Sequence, residues 1–462
     1  MKKILCALVF VGMIVSCAWG EVEINATNFP DQTFRTYLSG ESFDKNGDGV
    51  LSDSEIATVS EINVDSRITG AKISSLKGIE HFTALIKLTC YNNELTELDV
   101  SSNKALEVLY CSSNKIIKLD VSKNEALTGL DCARNQLIEL DVSKNTVLEW
   151  LSCEDNQLTE LDVSKNTALE SLYCGNNQLT VLDVSNHTAL SWLSCRESSE
   201  LKELNANGCT NLWELECEFS ALISLDVSGC TALKRLDCQV CQNMTSLNAE
   251  GCEALEDISC FQNKLREINL NGCVSLNRIQ ANDNELTSID LSGLEEMRTL
   301  ILDSNHLTAI DLSDCPNLSI LLLDNNQLAH LDISKNTQID QLYCSGNRLT
   351  ELDISENTQI YALYCSNNFL THLDLSHQTG LEELNCQHNK LSALDLSGLP
   401  ELQDIEGHYD EEEEEYVIDY MLSVGRQMVS SMDLMFDETK DLPYSLSFNS
   451  YMTTGQISNV IA

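Results

Sequence analysis

The chain runs to 462 residues and carries 28 lysines and arginines against 72 aspartates and glutamates, a net charge of −44 at neutral pH. That balance excludes phosphate-backbone binding, which runs on clustered Lys and Arg, so nucleic acid is not an expected partner. A hydrophobic share of 43% excludes wholesale disorder, and 462 residues exceed one compact core, which leaves several domains or one elongated repeat array.

Residues 1–20 read as an export signal. Lys2 and Lys3 precede an apolar run, Ile4 to Val15, followed by small residues. The run is too short to span a bilayer, and no later apolar stretch is long enough for a transmembrane helix. Two processing readings stay open. Ala18-Trp19-Gly20 places small residues at −3 and −1, giving a soluble chain from Glu21. Ile14-Val15-Ser16-Cys17 instead resembles a bacterial lipobox and would leave a lipid anchor on Cys17. Both place the protein outside the cytoplasm, secreted or at the cell surface or envelope. Removing residues 1–20 leaves 26 basic against 72 acidic residues, a net −46.

Next along the chain, in residues 21–61, comes the sharpest chemical motif. Asp44 to Glu55 reads DKNGDGVLSDSE and matches D-x-[DN]-x-[DN]-G-x₅-E in full. Calcium needs six to eight oxygens, and this spacing supplies them from Asp44, Asn46, Asp48, the Val50 carbonyl, Ser52 and Glu55. Gly49 sits where the backbone must turn sharply. Upstream, Phe34, Tyr37 and Leu38 share a helical face, and Ile56 and Val59 follow the loop. The segment resembles an EF-hand, which implies bound Ca²⁺. Only one such loop is evident, so a structural ion is expected, packing this cap onto a first strand at Ile62–Val64.

From 62 to 407 the sequence repeats. LEVLYCSSNKIIKLDVSKNEA is followed by LTGLDCARNQLIELDVSKNTV and LEWLSCEDNQLTELDVSKNTA, a pattern L-x-x-L-x-C-x-x-N-x-L-x-x-L-D-V-S-x-N. Its Cys column runs from Cys90 to Cys386 in twelve steps of 21 residues and two of 22, with Ala281, Leu302 and Leu323 standing in for Cys. Leu and the Cys two residues later point the same way from a short strand. Stacked units therefore make a parallel sheet whose Leu and Cys columns are buried. The Asn three residues after Cys can satisfy backbone groups where each coil turns. Ser198, Ser220 and Cys241 interrupt that column, so the middle of the array is expected to be its most irregular part.

These units resemble leucine-rich repeats, and the short period with Cys in a Leu position closely resembles the internalin J-like, cysteine-ladder class of bacterial surface proteins. The resemblance implies a mainly β repeat solenoid, a curved array with its parallel sheet on the concave face, used to bind other macromolecules. Here it would carry a short helical EF-hand-like cap.

Eighteen cysteines lie beyond Cys6 and Cys17. In-register neighbours about 4.8 Å apart with parallel Cβ vectors oppose disulfides, which want Cβ atoms nearer about 3.8 Å. Buried thiols acting as small hydrophobes are the better reading. Cys238-x-x-Cys241 follows from the repeat phase rather than from a zinc half-site.

On the exposed sheet positions stand Tyr110, Trp150, Tyr173, Trp192, Tyr343 and Tyr364. Trp150, Tyr173 and Trp192 fall on three successive strands as an aromatic cluster. They read either as ligand anchors, for protein or stacked sugar rings, or as ordinary strand formers. Ile301, Ile320 and Leu322 make a second apolar patch. After the second Leu comes Asp in 12 of 15 units, from Asp99 to Asp395. Two charges about 5 Å apart in water repel by about 0.8 kcal/mol. The column must be solvated and hydrogen-bonded, or neutralised by loosely held divalent cations.

Past Gly407 the period ends; Glu411 to Glu415 is an acidic run, and 408–462 reads as an acidic segment with a cap or small module. The eight His are scattered, and no motif converges into an active site, so no enzyme is expected. The sequence describes a monomeric, exported recognition or adhesin protein binding a protein or glycan through its concave face. The rival is a structural spacer or envelope component without a dedicated ligand.

Overall fold

The computed structural model describes residues 21–396, residues 398, 399 and 402, and the strand segments His408–Asp410, Glu415–Val417 and Asp433–Met435. The export signal, Cys17 and, apart from those segments, the acidic segment and cap expected over 408–462 lie outside the described residues.

The N-terminal cap comprises β1 (Val22–Glu23), α1 (Gln32–Leu38), β2 (Val50–Leu51) and α2 (Asp53–Ile56), and leads into β3 (Glu61–Asn63). Helix α1 starts at Asp31, whose Oδ1 accepts from the Thr33 and Phe34 N–H groups that a helix start leaves open. Phe34 and Leu38, one turn apart, are fully buried. Two sets of mostly edge-on ring contacts, Phe29–Phe34 and Tyr37–Phe43–Phe82, lie over the open end of the first coil. Two polar links fix the cap there. Tyr37 Oη accepts from Asn63 N at 3.1 Å, and Asp31 Oδ2 accepts from Ser74 N at 2.8 Å and Ser74 Oγ at 2.9 Å.

From β3 to Glu383–Asn385, sixteen strands form one parallel sheet, each paired with its copy in the next coil. Leu88 stands against Leu109, Leu109 against Leu130, and so on to Leu363 against Leu384. A slip of one residue would turn the whole leucine column to solvent, so burial fixes the register. All eighteen cysteines of the described residues are free and buried. Burial pushes the Cys209 and Cys273 thiols up to about 11 and Cys386 up to about 12, so they stay protonated at neutral pH.

Each column Asn bonds across coils. Asn114 Nδ2 donates to Cys90 O at 3.0 Å and Cys111 O at 3.1 Å, while its Oδ1 accepts from Leu95 N at 3.0 Å. The middle of the array is irregular at the interrupted column, as the sequence implies: the coil-to-coil main-chain bond from the residue after the Asn, such as Gln178 N to Leu158 O at 2.8 Å, gives way there to Ser199 N on Glu197 O at 3.2 Å. The sheet passes unbroken through Trp192–Ser194, Glu214–Glu216 and Arg235–Asp237. On the second face, the three-stranded sheet of Ser224–Asp226, Ser246–Asn248 and Glu267–Asn269 lies there. Where the Asn is missing, its side-chain bonds and that one main-chain bond are lost; others, such as Cys195 N to Glu216 O at 2.9 Å, still join the coils. Ser220 Oγ and Cys241 Sγ bond one another at 3.1 Å in the Asn positions.

Candidate functional site

The concave sheet presents the side chains that flank each buried Leu. Tyr110, Trp150, Tyr173, Trp192, Tyr343 and Tyr364 are all half-buried there. The expected Trp150–Tyr173–Trp192 cluster resolves into two. Trp150 packs on Tyr110, two strands away, with ring centroids 5.5 Å apart. It reaches across Gly129, where a Cβ would come within 2.4 Å of the indole Nε1. Trp192 joins Tyr173 at 6.3 Å and Trp213 at 5.4 Å. Trp213 is exposed and was not singled out by the repeat pattern, because it stands one residue before the column that holds Trp150 and Trp192. Further along, Ile301, Leu322, Tyr343 and Tyr364 stand side by side on four successive strands, and the two tyrosine rings stack at 4.4 Å.

Carboxylates surround the rings. Trp192, Glu214 and Arg235 are neighbours in register, with Arg235 Nη1 3.7 Å from Glu214 Oε1. Glu214 is buried and its Oε2 has no hydrogen-bond partner; the same holds for the Trp192 Nε1–H. Desolvation raises the pKa of Glu154, Glu214 and Asp237, and carries Glu218 up to about 7. Asp303 and Asp324, on adjacent coils, are each raised to about 6 by the same cause.

In the cap, the loop brings Asp44 and Glu55 together. Asp44 Oδ1 accepts from Gly47 N at 2.8 Å and its Oδ2 from Gly49 N at 2.9 Å. Glu55 Oε2 accepts from Ser52 Oγ at 2.7 Å and Ser52 N at 2.8 Å, and Oε1 from Lys45 N at 2.8 Å; these bonds, led by the Ser52 hydroxyl, pull its carboxyl down to about 2. Asp48 Oδ2 takes a bond from Asn46 Nδ2 at 2.8 Å, and its Oδ1 accepts from Val50 N. Gly47 and Gly49 take φ of 69° and 79°, a left-handed backbone that glycine adopts at the least steric cost. The flanking helices are short: α1 ends before Ser39, and α2 is a single turn begun by a Ser52–Glu55 capping box.

Among solved structures, the functional domain of InlJ from Listeria monocytogenes, which includes a cysteine ladder, is 32% identical, with a TM-score of 0.62 over 83% of this chain and 79% of that one. This chain belongs to the cysteine-ladder leucine-rich-repeat family. A leucine-rich-repeat protein from Leptospira interrogans shares the fold at 20% identity and a TM-score of 0.52, over 75% of this chain and 92% of that one. No protein-family model and no curated protein sequence matches the chain.

On the second face of this cysteine-ladder protein the Asp column is exposed and locally satisfied. Asp99 Oδ1 accepts from Ser101 N at 2.9 Å, and the same bond recurs at Asp120, Asp141 and Asp162. The paired serines hold these carboxyls below the usual range. A groove of about 1250 Å³ runs along Asp120, Asp141, Asp162 and Asp183. The ring set and the Asp44–Glu55 loop do not line this groove. Among the described residues, no three His, Cys, Asp or Glu side chains converge on a ready metal cage, and no helix is long and apolar enough to cross a membrane.

Proposed function

We propose that this cysteine-ladder protein is exported and binds another macromolecule, protein or glycan, through its concave sheet, in an adhesin or recognition role. The aromatic set carries the reading. Tyr110–Trp150 and Tyr173–Trp192–Trp213 sit half-buried to exposed on strands whose register is fixed by leucines beneath them. Tryptophan and tyrosine held on a rigid element are the side chains that anchor interfaces. The unpartnered Trp192 N–H and Glu214 Oε2 add a polar pair beside the rings. Residues 1–20 direct export, with release at Glu21 or lipidation at Cys17 as the two fates; the mass of the mature N-terminus separates them. The test is a panel of immobilised proteins and glycans. Trp150→Ala and Trp192→Ala should abolish capture with unchanged circular dichroism. No capture by the parent chain, or full capture by both variants, returns the protein to the spacer reading.

Asp44–Glu55 is read as a structural calcium site. The donors Asp44, Asn46, Asp48, Val50 O, Ser52 and Glu55 are all oxygens, which suits a hard cation. The carboxylates of Asp44 and Glu55 are buried without a Lys or Arg partner among the described residues, an arrangement that a cation would neutralise. Asp48 would exchange its bond to Asn46 for the ion. Calorimetry should show calcium heat that Glu55→Gln removes; equal heat in that variant sinks the assignment.

A further inference from the structure

Calcium loops of this type carry a short extended segment in mid-loop whose backbone edge needs a partner strand, ordinarily a second such loop. This chain has one loop, yet the edge is covered. Strand β1 runs antiparallel to β2, with Val22 opposite Leu51 and Glu23 opposite Val50. Ile24 N donates to Gly49 O at 2.9 Å, so three consecutive loop residues, Gly49, Val50 and Leu51, are met by residues 22–24. The pairing is built into the cap rather than resting on its surface. Val22 and Leu51 are both buried in the core. On its other side β1 is fastened by Asn28 Nδ2, which donates to Glu23 O at 2.9 Å, and by Asn25, which bonds the Glu23 carboxylate at 2.7 Å. Asn25 Oδ1 in turn accepts from the Thr27 and Asn28 N–H groups, closing the turn that leads into α1.

We infer that residues 22–24 are the loop's own partner strand, replacing the second loop of a paired site. They fix the backbone of Gly49–Leu51, including the Val50 carbonyl, and an ion in the loop in turn fastens residues 22–24 to the cap. This rests on the calcium reading above. Because binding couplings are reciprocal, whatever the strand contributes to calcium affinity, calcium returns to the strand.

The test uses the processed chain and calcium chloride. Calorimetry compares the parent with Ile24→Pro, which removes the donor to Gly49 O, and with a deletion of residues 21–24. Both variants should bind calcium at least about tenfold more weakly, about 1.4 kcal/mol, while the unfolding midpoint of the array stays in place. Hydrogen exchange on the unmodified chain needs no variant: calcium should slow exchange at the Ile24 amide. Parent-like affinity in both variants, or exchange at Ile24 indifferent to calcium, overturns the strand's role and leaves the calcium site standing. Absence of calcium heat in the parent removes both.

Discussion

Replacing Asn135 by Ala tests what holds one coil to the next. Asn135 Nδ2 lies 3.0 Å from Cys132 O, 3.1 Å from Cys111 O and 3.1 Å from Ala133 O, and Oδ1 accepts from Ile116 N at 3.0 Å. The three carbonyls keep other donors: Asn114 serves Cys111 O, Asn156 serves Cys132 O, and Ser113 N serves Ala133 O. The Ile116 N–H has no other acceptor, so truncation leaves one buried donor orphaned. An orphaned buried group costs about 1–3 kcal/mol, and the lost side-chain bonds about 1 kcal/mol more. The expected loss is therefore about 3 kcal/mol in urea unfolding, with the m-value unchanged if the array still unfolds as one unit. Asn135→Asp keeps the acceptor but sets an anion against carbonyl oxygens, so it should cost more than Ala. A loss below about 1 kcal/mol for Ala, or an Asp variant no worse than Ala, would refute the account.

His187 occupies the second Asn position, with Nδ1 2.9 Å from Val184 O and Nε2 3.0 Å from Val163 O. His187→Ala, which removes both ring contacts, should destabilise the array by about 1–3 kcal/mol in urea unfolding. For pH, Glu218 at about 7 and Asp303 and Asp324 at about 6 hold protons in the fold that unfolding releases, so stability should fall as pH rises from about 5 to about 7.5. Asp99, Asp120, Asp141 and Asp162, held low by their serines, act oppositely and withdraw stability only below their unfolded pKa near 3.9. A melting temperature that rises from pH 5 to pH 7.5, or a slope that Glu218→Gln leaves unchanged, contradicts this. Thiol titration of the chain from Glu21 should find essentially none reactive when native and all eighteen in denaturant without reductant.

What could be read in advance follows from periodicity. A column of Leu, Cys or Asn at a fixed step announces itself because burial permits few residue types. The left-handed turn after each strand does not. Every coil from Asn92 to His388 takes positive φ two residues beyond the Cys column, yet the position is filled by Ser113, Arg134, Phe219 and Val240 as readily as by Gly346. Side-chain identity there is free because it faces outward, and main-chain bonds such as Asn92 N to Ser112 O impose the conformation. The same logic bounds the irregular middle: losing Asn at 198, 220 and 241 disturbs the turns, while the backbone pairs of the concave sheet continue unbroken. The first helix of the cap and its glycine turn were legible, whereas β1 was not, since Val22–Glu23 is too short to show a pattern. Trp213 escaped because residues were sorted by column, and a ring can lean out of its own.

That leaning separates packing from recognition. A tryptophan present only as a strand former needs no gap in the neighbouring strand, yet Trp150 lies where any Cβ at position 129 would collide. Gly weakens a strand interior and marks a site of close approach, so Gly129 costs the sheet something and gains the flat seating of Trp150 toward Tyr110. Gly129→Val should leave stability within about 1 kcal/mol, because a β-branched residue favours the strand, while lifting the indole off its neighbours. In a chain that starts at Glu21 and also carries Trp192→Phe and Trp213→Phe, leaving Trp150 as the one tryptophan, acrylamide should then quench Trp150 more strongly. Capture of whatever the concave face binds should weaken in the Gly129→Val single variant. Unchanged quenching would show that the ring has room without the glycine; increased quenching with unchanged capture would make the Tyr110–Trp150 pair ordinary covering of the sheet.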